Sequence, residues 1–194
     1  MIDWIRMVFA NKKHKIFKNR LLIKQKMCYT AGVKSNVESG KGDYKMYTVF
    51  DIANWFLSKQ EMSHKKLQKM CYYAQAWSYA LHNKPIMEED FQAWVHGPVS
   101  PRLYQKYKGN GFQDLKYNSS EGIPEFSSEE TELLESVFLT YGDYTGNALE
   151  ALTHKETPWV EAREGVAPDE NCRNIISTDT MRRFYQSIYS GGDA

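Results

Sequence analysis

The sequence lacks an apolar run long enough to cross a membrane. A membrane-spanning helix needs about 20 consecutive apolar residues, and no such run occurs among the 194 residues. The first ten residues are interrupted by Asp3 and Arg6, so they lack the continuous apolar centre of a signal peptide. We therefore expect a cytoplasmic protein with no membrane partner.

Cysteine is scarce. The three cysteines, Cys28, Cys71 and Cys172, are too few and too scattered for a disulfide framework. No two of them form the CxxC pair that is typical of zinc sites. We expect free, buried thiols.

The sequence has none of the common catalytic patterns. A GxSxG elbow, a GxxxxGK[ST] phosphate loop and a GxGxxG dinucleotide turn are all absent. The five histidines show no HxxxH or HxH spacing for a metal. We expect no enzyme, no cofactor and no metal site, and an enzyme acting through the loop histidines His96 and His154 is the least favoured alternative.

Charge divides the chain into two parts. Residues 1–45 carry eleven Lys and Arg against three acidic residues, a net +8, which leaves fourteen basic and twenty-one acidic side chains, a net −7, for residues 46–194. Residues 31–43 are rich in Gly and Ser and predict a flexible linker. The basic segment 1–45 has three interpretations: a disordered extension, an arm that binds an acidic surface such as a nucleic acid, a membrane or a toxin, or translated sequence upstream of a true start at Met46.

From Met46 onward the pattern predicts a compact, mainly α-helical single domain over residues 46–190. Apolar residues recur at three- and four-residue spacing from Leu67 to Leu81, between a capping Ser63 and the helix-ending Asn83. This pattern predicts a long helix. Further helix starts are predicted at Ser100-Pro101, at the capping box Ser127–Glu130, at Thr145, at Thr157-Pro158 and at Thr178. Extended segments at 91–97 and at Ile175-Ile176 leave room for a short two-stranded β ribbon.

Aromatic residues exceed the needs of a small core. The chain has thirteen Tyr and five Trp, and helices that each present one face to the core could not bury all of them. Tyr and Trp at a surface are good anchors for a protein partner, because they bury much area at little conformational cost. The other interpretation is that most of them line the core with their polar ends at its edge.

Three segments together identify a family. Residues 66–77 (KLQKMCYYAQAW), 91–104 (FQAWVHGPVSPRLY) and 152–159 (LTHKETPW) closely resemble, in order and spacing, the signatures of the Panacea domain, which is also called SocA-like and includes GepA-type phage-associated proteins. The resemblance covers about residues 46–190. Because three linked motifs match, it is specific.

The resemblance implies an antitoxin of a type II toxin–antitoxin module that neutralises a cognate protein toxin by direct binding. Two alternatives stay open: an adaptor that delivers the toxin to a ClpXP-type protease, and nucleic-acid binding with autoregulation through the basic arm. The resemblance also implies a phage or mobile-element association, and it carries over no catalytic residue.

The motif residues are the candidate partner contacts. Each has a second interpretation as a part of the architecture, such as a rigid turn, a helix start or a core aromatic. The candidates are Lys66, Gln68, Tyr72, Tyr73, Gln75, Trp77, Trp94, Gly97, Pro98, Pro101, Tyr104, His154, Glu156, Pro158 and Trp159.

Overall fold

The computed structural model of the protein describes residues 46–190. Residues 1–45 and 191–194 lie outside the described residues. The predicted basic extension, its three interpretations and the free thiol of Cys28 therefore stay predictions. Cys71 and Cys172 are buried free thiols, as predicted.

Helices dominate residues 46–190, which confirms the mainly α class. They are α1 (Val49–Lys59), α2 (His64–His82), α3 (Pro101–Tyr107), α4 (Ser128–Tyr141), α5 (Gly146–Thr153), α6 (Thr157–Ala162) and α7 (Thr178–Ser190). Two single turns of 3-10 helix occupy Lys108–Asn110 and Ser119–Glu121. In this part of the chain, no helix combines the length and the apolar composition that crossing a membrane requires.

The predicted capping residues start the helices. The hydroxyl groups of Ser63, Ser100 and Thr145 accept hydrogen bonds from backbone N–H groups in the first turns of α2, α3 and α5. Ser127 and Glu130 form the predicted capping box at α4. Each of these contacts satisfies an N–H group that the helix itself leaves without an acceptor, so the sequence specifies these helix starts locally.

Within residues 46–190, four short strands form two small antiparallel ribbons. In the first, β1 (Met62–Ser63) pairs with β4 (Asp114–Leu115). In the second, β2 (Gln92–Trp94) pairs with β3 (Gly97–Val99) across a two-residue turn. Ile175 and Ile176, predicted as a second extended segment, do not form a strand of their own, but Ile175 makes an isolated antiparallel bridge to Gln92 of β2. Backbone hydrogen bonds from Ile176 to Phe91 and from Ala93 to Asn174 flank this bridge. The strand β3 pairs with the same residue Gln92 through the close chain reversal that Gly97, with a φ of 91°, permits.

Helix α2 runs through the centre of the domain. It packs against α1, α4, α5 and α7 as well as against β3. Its central aromatic residues are therefore buried on every side: Tyr72 and Tyr73 are 0% exposed and Trp77 is 1% exposed. The expectation that helices present one face each is wrong for α2, because neighbouring elements surround this helix.

Candidate functional site

The third motif places a carboxylate inside a cluster of tyrosines. Glu156, which precedes α6, is 4% exposed and accepts a hydrogen bond of 2.8 Å from the Tyr185 hydroxyl of α7. The Tyr73 hydroxyl of α2 donates to the same carboxylate at 3.2 Å. Tyr73 stacks on Tyr141 of α4, with ring centroids 3.9 Å apart. Glu156 thus links three helices through the core.

Burial raises the pKa of Glu156 to about 7. The two tyrosine hydroxyls act in the opposite direction, since they stabilise the ionised carboxylate. The neighbouring tyrosine hydroxyls keep their protons, because burial and the nearby carboxylate raise the pKa of Tyr73 and of Tyr185 well above the usual range. The carboxyl group itself is therefore the titrating member of the cluster near neutral pH.

Two glutamines of the first motif hold backbone segments on α2. The Gln68 side chain accepts from the Ser100 N–H at 2.8 Å and donates to the Ser100 carbonyl at 3.3 Å. The Gln75 side chain accepts from the N–H groups of Ile86 and Met87 and donates to the carbonyls of Met87 and Glu89. Both amide groups are used inside the domain, so neither is available to a partner.

The two lysines of the first motif also point inward. The Lys66 ammonium donates to the Gly142 carbonyl at 2.6 Å, and the Lys69 ammonium donates to the Pro98 carbonyl at 3.0 Å. Burial lowers the pKa of Lys69 to about 7, and it also lowers the pKa of Lys66. These hydrogen bonds link α2 to the residue that follows α4 and to the strand β3.

The second motif shapes the ribbon and the start of α3. Gly97 and Pro98 are buried in β3, and Pro101 occupies the first turn of α3. A side chain at Gly97 would lie 2.8 Å from atoms of Lys69 and Thr153, so the backbone approaches α2 and α5 closely here. These residues act as a turn and a helix start, which agrees with their architectural interpretation.

The second and third motifs meet through their tryptophans. The Trp159 indole N–H donates to the Trp94 carbonyl at 3.0 Å. His154 stacks on Trp159, with ring centroids 4.0 Å apart. Pro158, in the first turn of α6, is buried beside this contact. The three motifs therefore form one connected framework, in which Trp94, His154 and Trp159 are half-buried.

The two candidate acid–base histidines have separate contacts. His96 is exposed, and its Nδ1 lies 2.8 Å from Glu150 Oε1. Burial lowers the pKa of His154, and among the described residues no hydrogen bond joins it to His96. No group of three or more His, Cys, Asp or Glu side chains in this part of the chain could hold a metal ion.

A row of half-buried aromatic rings reaches the surface beside α3. The Trp94 and Tyr104 rings meet edge to face, with centroids 4.9 Å apart. His64 stacks on Tyr104 at 5.6 Å and contacts Tyr107 at 5.8 Å. Burial lowers the pKa of His64 to about 4, so this imidazole is neutral at physiological pH. Most of the candidate residues are buried. The half-buried ones are Trp94, Pro101, Tyr104, His154 and Trp159.

Several members of the framework lie outside the candidate residues. The Tyr141 hydroxyl of α4 accepts a hydrogen bond from the Trp77 indole N–H, and the Tyr185 hydroxyl of α7 donates one to Glu156. Arg163 donates to the Ala93, Ala167 and Glu170 carbonyls from a buried position. A buried arginine after a short helix carries no local signal, because its acceptors are backbone groups that only the fold assembles.

Two comparisons relate this chain to known proteins. Residues 67–160 match the family model described as "Antitoxin SocA-like, Panacea domain". The antitoxin SocA of Caulobacter vibrioides (strain NA1000 / CB15N) is 28% identical over 124 residues, an alignment that covers 56% of this chain. The same alignment covers 66% of that protein, just under two thirds of its length. No solved structure matches.

Proposed function

We propose that this chain, which carries a SocA-like Panacea domain as its three motifs predicted, is an antitoxin that neutralises a protein toxin by binding it directly. The observation that carries the proposal is the similarity to the antitoxin SocA, a relative with the same domain. Neutralisation by contact requires a stable surface and no reacting groups. The chain then acts as the binding partner in a toxin–antitoxin module and not as an enzyme.

The arrangement of the motif residues supports binding over catalysis. The polar groups of Gln68, Gln75 and Glu156 are all used in hydrogen bonds inside the domain. A catalytic site needs such groups to converge on a space that a substrate can enter. Here they instead fix the positions of helices, which keeps a binding surface rigid and lowers the entropy cost of association.

A selection in cells tests the proposal. Fragments of the genome that encodes this chain are cloned behind an inducible promoter and expressed with the full-length protein or with a vector that lacks its gene. We expect at least one insert that stops growth without the protein and permits growth with it. If every toxic insert remains toxic in the presence of the protein, the antitoxin proposal fails.

Toxin abundance during rescue separates the two mechanisms. Direct neutralisation predicts an undiminished toxin that elutes with the antitoxin in size-exclusion chromatography, because the complex protects both chains. Delivery to a protease instead predicts that the toxin level falls on rescue and recovers when the protease is deleted. The second result would replace direct neutralisation by the adaptor mechanism.

A further inference from the structure

We propose that the toxin-binding surface is the α3 face, which we define as Phe50, Arg102, Lys106, Lys108 and Phe112, and that it recognises an acidic protein surface with an apolar pocket. This inference rests on the antitoxin function proposed above and adds the place and the chemistry of the contact. All five side chains lie on α1, on α3 or on the turn that follows α3.

The charge of this face is opposite to that of the domain that carries it. Residues 46–194 have a net charge of −7, yet residues 91–113 contain no Asp or Glu. Arg102, Lys106 and Lys108 lie within that acid-free stretch, and all three are exposed. A cationic surface on an acidic body favours one orientation of an approaching partner, with the acidic region of that partner toward α3.

The carboxylates near these cations neutralise them incompletely. Arg102 lies 3.6 Å from Glu89, whose side chain is 4% exposed while that of Arg102 is 52% exposed. Lys106 pairs with Glu121, and no ion pair involves Lys108 among residues 46–190. The exposed ends of Arg102 and Lys108 are therefore available to carboxylates of a partner, at little cost in broken contacts.

Phe112 supplies an apolar anchor at the same face. Its side chain is fully exposed at the end of the turn after α3, next to Gly111. A phenylalanine that contributes nothing to the core loses no stabilising contact when it enters a pocket on another protein. Interfaces commonly gain most of their affinity from such a buried aromatic residue surrounded by polar contacts.

Phe50 positions the cations. The Arg102 guanidinium lies 5.4 Å from the centre of the Phe50 ring, and the Lys106 ammonium lies 4.9 Å from it. Cation–π attraction holds both charged groups against the Phe50 ring of α1. Their side chains are thus partly ordered before a partner arrives, which reduces the entropy that binding must overcome.

The ring arrangement favours a protein over a single-stranded nucleic acid. Nucleic-acid surfaces of this kind offer a series of free aromatic faces on which successive bases stack. Here two cations cover a face of Phe50, and His64 covers a face of Tyr104. Phe112 alone offers a fully exposed ring at this face, so it suits a single pocket better than a row of bases.

The test uses a toxin recovered in the selection above and a double variant of the full-length chain. Lys108→Glu with Phe112→Ala reverses one exposed charge and removes the exposed ring without touching the core. The matched control is Arg173→Glu with Val160→Ala, which makes the same two kinds of change at exposed positions elsewhere. Calorimetric titration gives the dissociation constant of each variant for the purified toxin, and circular dichroism verifies that each is folded.

We expect the α3-face variant to bind at least about 30-fold more weakly, the effect of losing one interface hot spot, while the control stays within about threefold of the unmodified chain. If the α3-face variant still binds and neutralises like the control, this inference is wrong while the antitoxin function stands. If a labelled 20-nucleotide RNA binds the unmodified chain and loses binding in the α3-face variant while toxin affinity is unchanged, the face binds nucleic acid and the inference is also wrong. If no toxin is recovered at all, both proposals fail.

Discussion

Replacing Glu156 with alanine is expected to destabilise the domain by about 3 to 5 kcal/mol at pH 7. The substitution leaves the Tyr73 and Tyr185 hydroxyls without the acceptor that they share, and it opens a cavity where α2, α6 and α7 meet. Each buried hydroxyl without a partner costs about 1 to 3 kcal/mol, and the missing methylene and carboxyl groups add to this. Urea unfolding followed by circular dichroism measures the change.

Glu156→Gln is the matched variant, since it keeps the shape of the side chain and an oxygen that can accept from a tyrosine. We expect it to cost only about 1 kcal/mol at pH 7, because it resembles the protonated form that burial favours. Equal losses for the alanine and the glutamine variants would show that the hydrogen bonds to the tyrosines contribute little, contrary to the role assigned to this cluster.

Glu156 should also make stability depend on pH. Burial raises the pKa of its carboxyl from an ordinary 4.5 to about 7, so the folded state binds this proton more tightly than the unfolded state. The stabilisation from this group is complete below about pH 4.5 and is lost as the pH rises through about 7. Relative to Glu156→Gln, the unmodified chain should therefore lose stability as the pH rises across that window. If the free energies of unfolding of the two proteins change with pH in parallel, Glu156 is not the group that titrates.

The helix starts were predictable because their determinants are local. Ser63, Ser100 and Ser127 each accept a hydrogen bond from a backbone N–H three residues later, so a short stretch of sequence contains both the signal and the structure. The predicted free state of Cys71 and Cys172 followed in the same way from number and spacing. These features needed no knowledge of how the helices pack.

The surroundings of α2 were not predictable by the same reasoning. Its sequence alternates Lys and Gln with apolar residues, which resembles a helix with one exposed face. Instead Lys66, Gln68 and Lys69 are each buried and bonded to backbone carbonyls that come from distant segments. The spacing of polar and apolar residues shows which side of one helix is polar. It cannot show that a polar side chain is buried, because this depends on hydrogen-bond acceptors that the tertiary structure supplies.

The motifs carry the similarity to the Panacea domain, but most of their side chains form the internal framework of the domain. Tyr73, Gln75 and Glu156 are buried and hydrogen-bonded within the domain. The α3 face draws on Lys108 and Phe112, which lie outside the motifs. Of the proposed α3 face, only Arg102 lies within a motif. A shared framework and a binding surface that lies mostly outside the motifs would allow the same fold to present different surfaces to different partners.

Replacing Gly97 with alanine is expected to cost about 3 kcal/mol of folding free energy. Gly97 takes a φ of 91°, a conformation that strains any residue with a side chain. The added Cβ would also lie 2.8 Å from the Lys69 Cε and 2.8 Å from the Thr153 Oγ1. Lys69 is fully buried with its ammonium bonded to the Pro98 carbonyl, so it has little room to move away.

The variant Gly111→Ala separates backbone strain from steric overlap. Gly111 also has a positive φ, of 58°, but a Cβ there would meet no atom within 4 Å. Gly111→Ala should therefore cost about 2 kcal/mol from the backbone conformation alone, since its φ of 58° and ψ of −126° strain any residue with a side chain. Urea unfolding of both variants gives the two values. If they lose equal stability, the close approach of β3 to α2 and α5 contributes nothing measurable. A larger loss at Gly97 would instead identify this contact as the reason that the second motif needs glycine after His96.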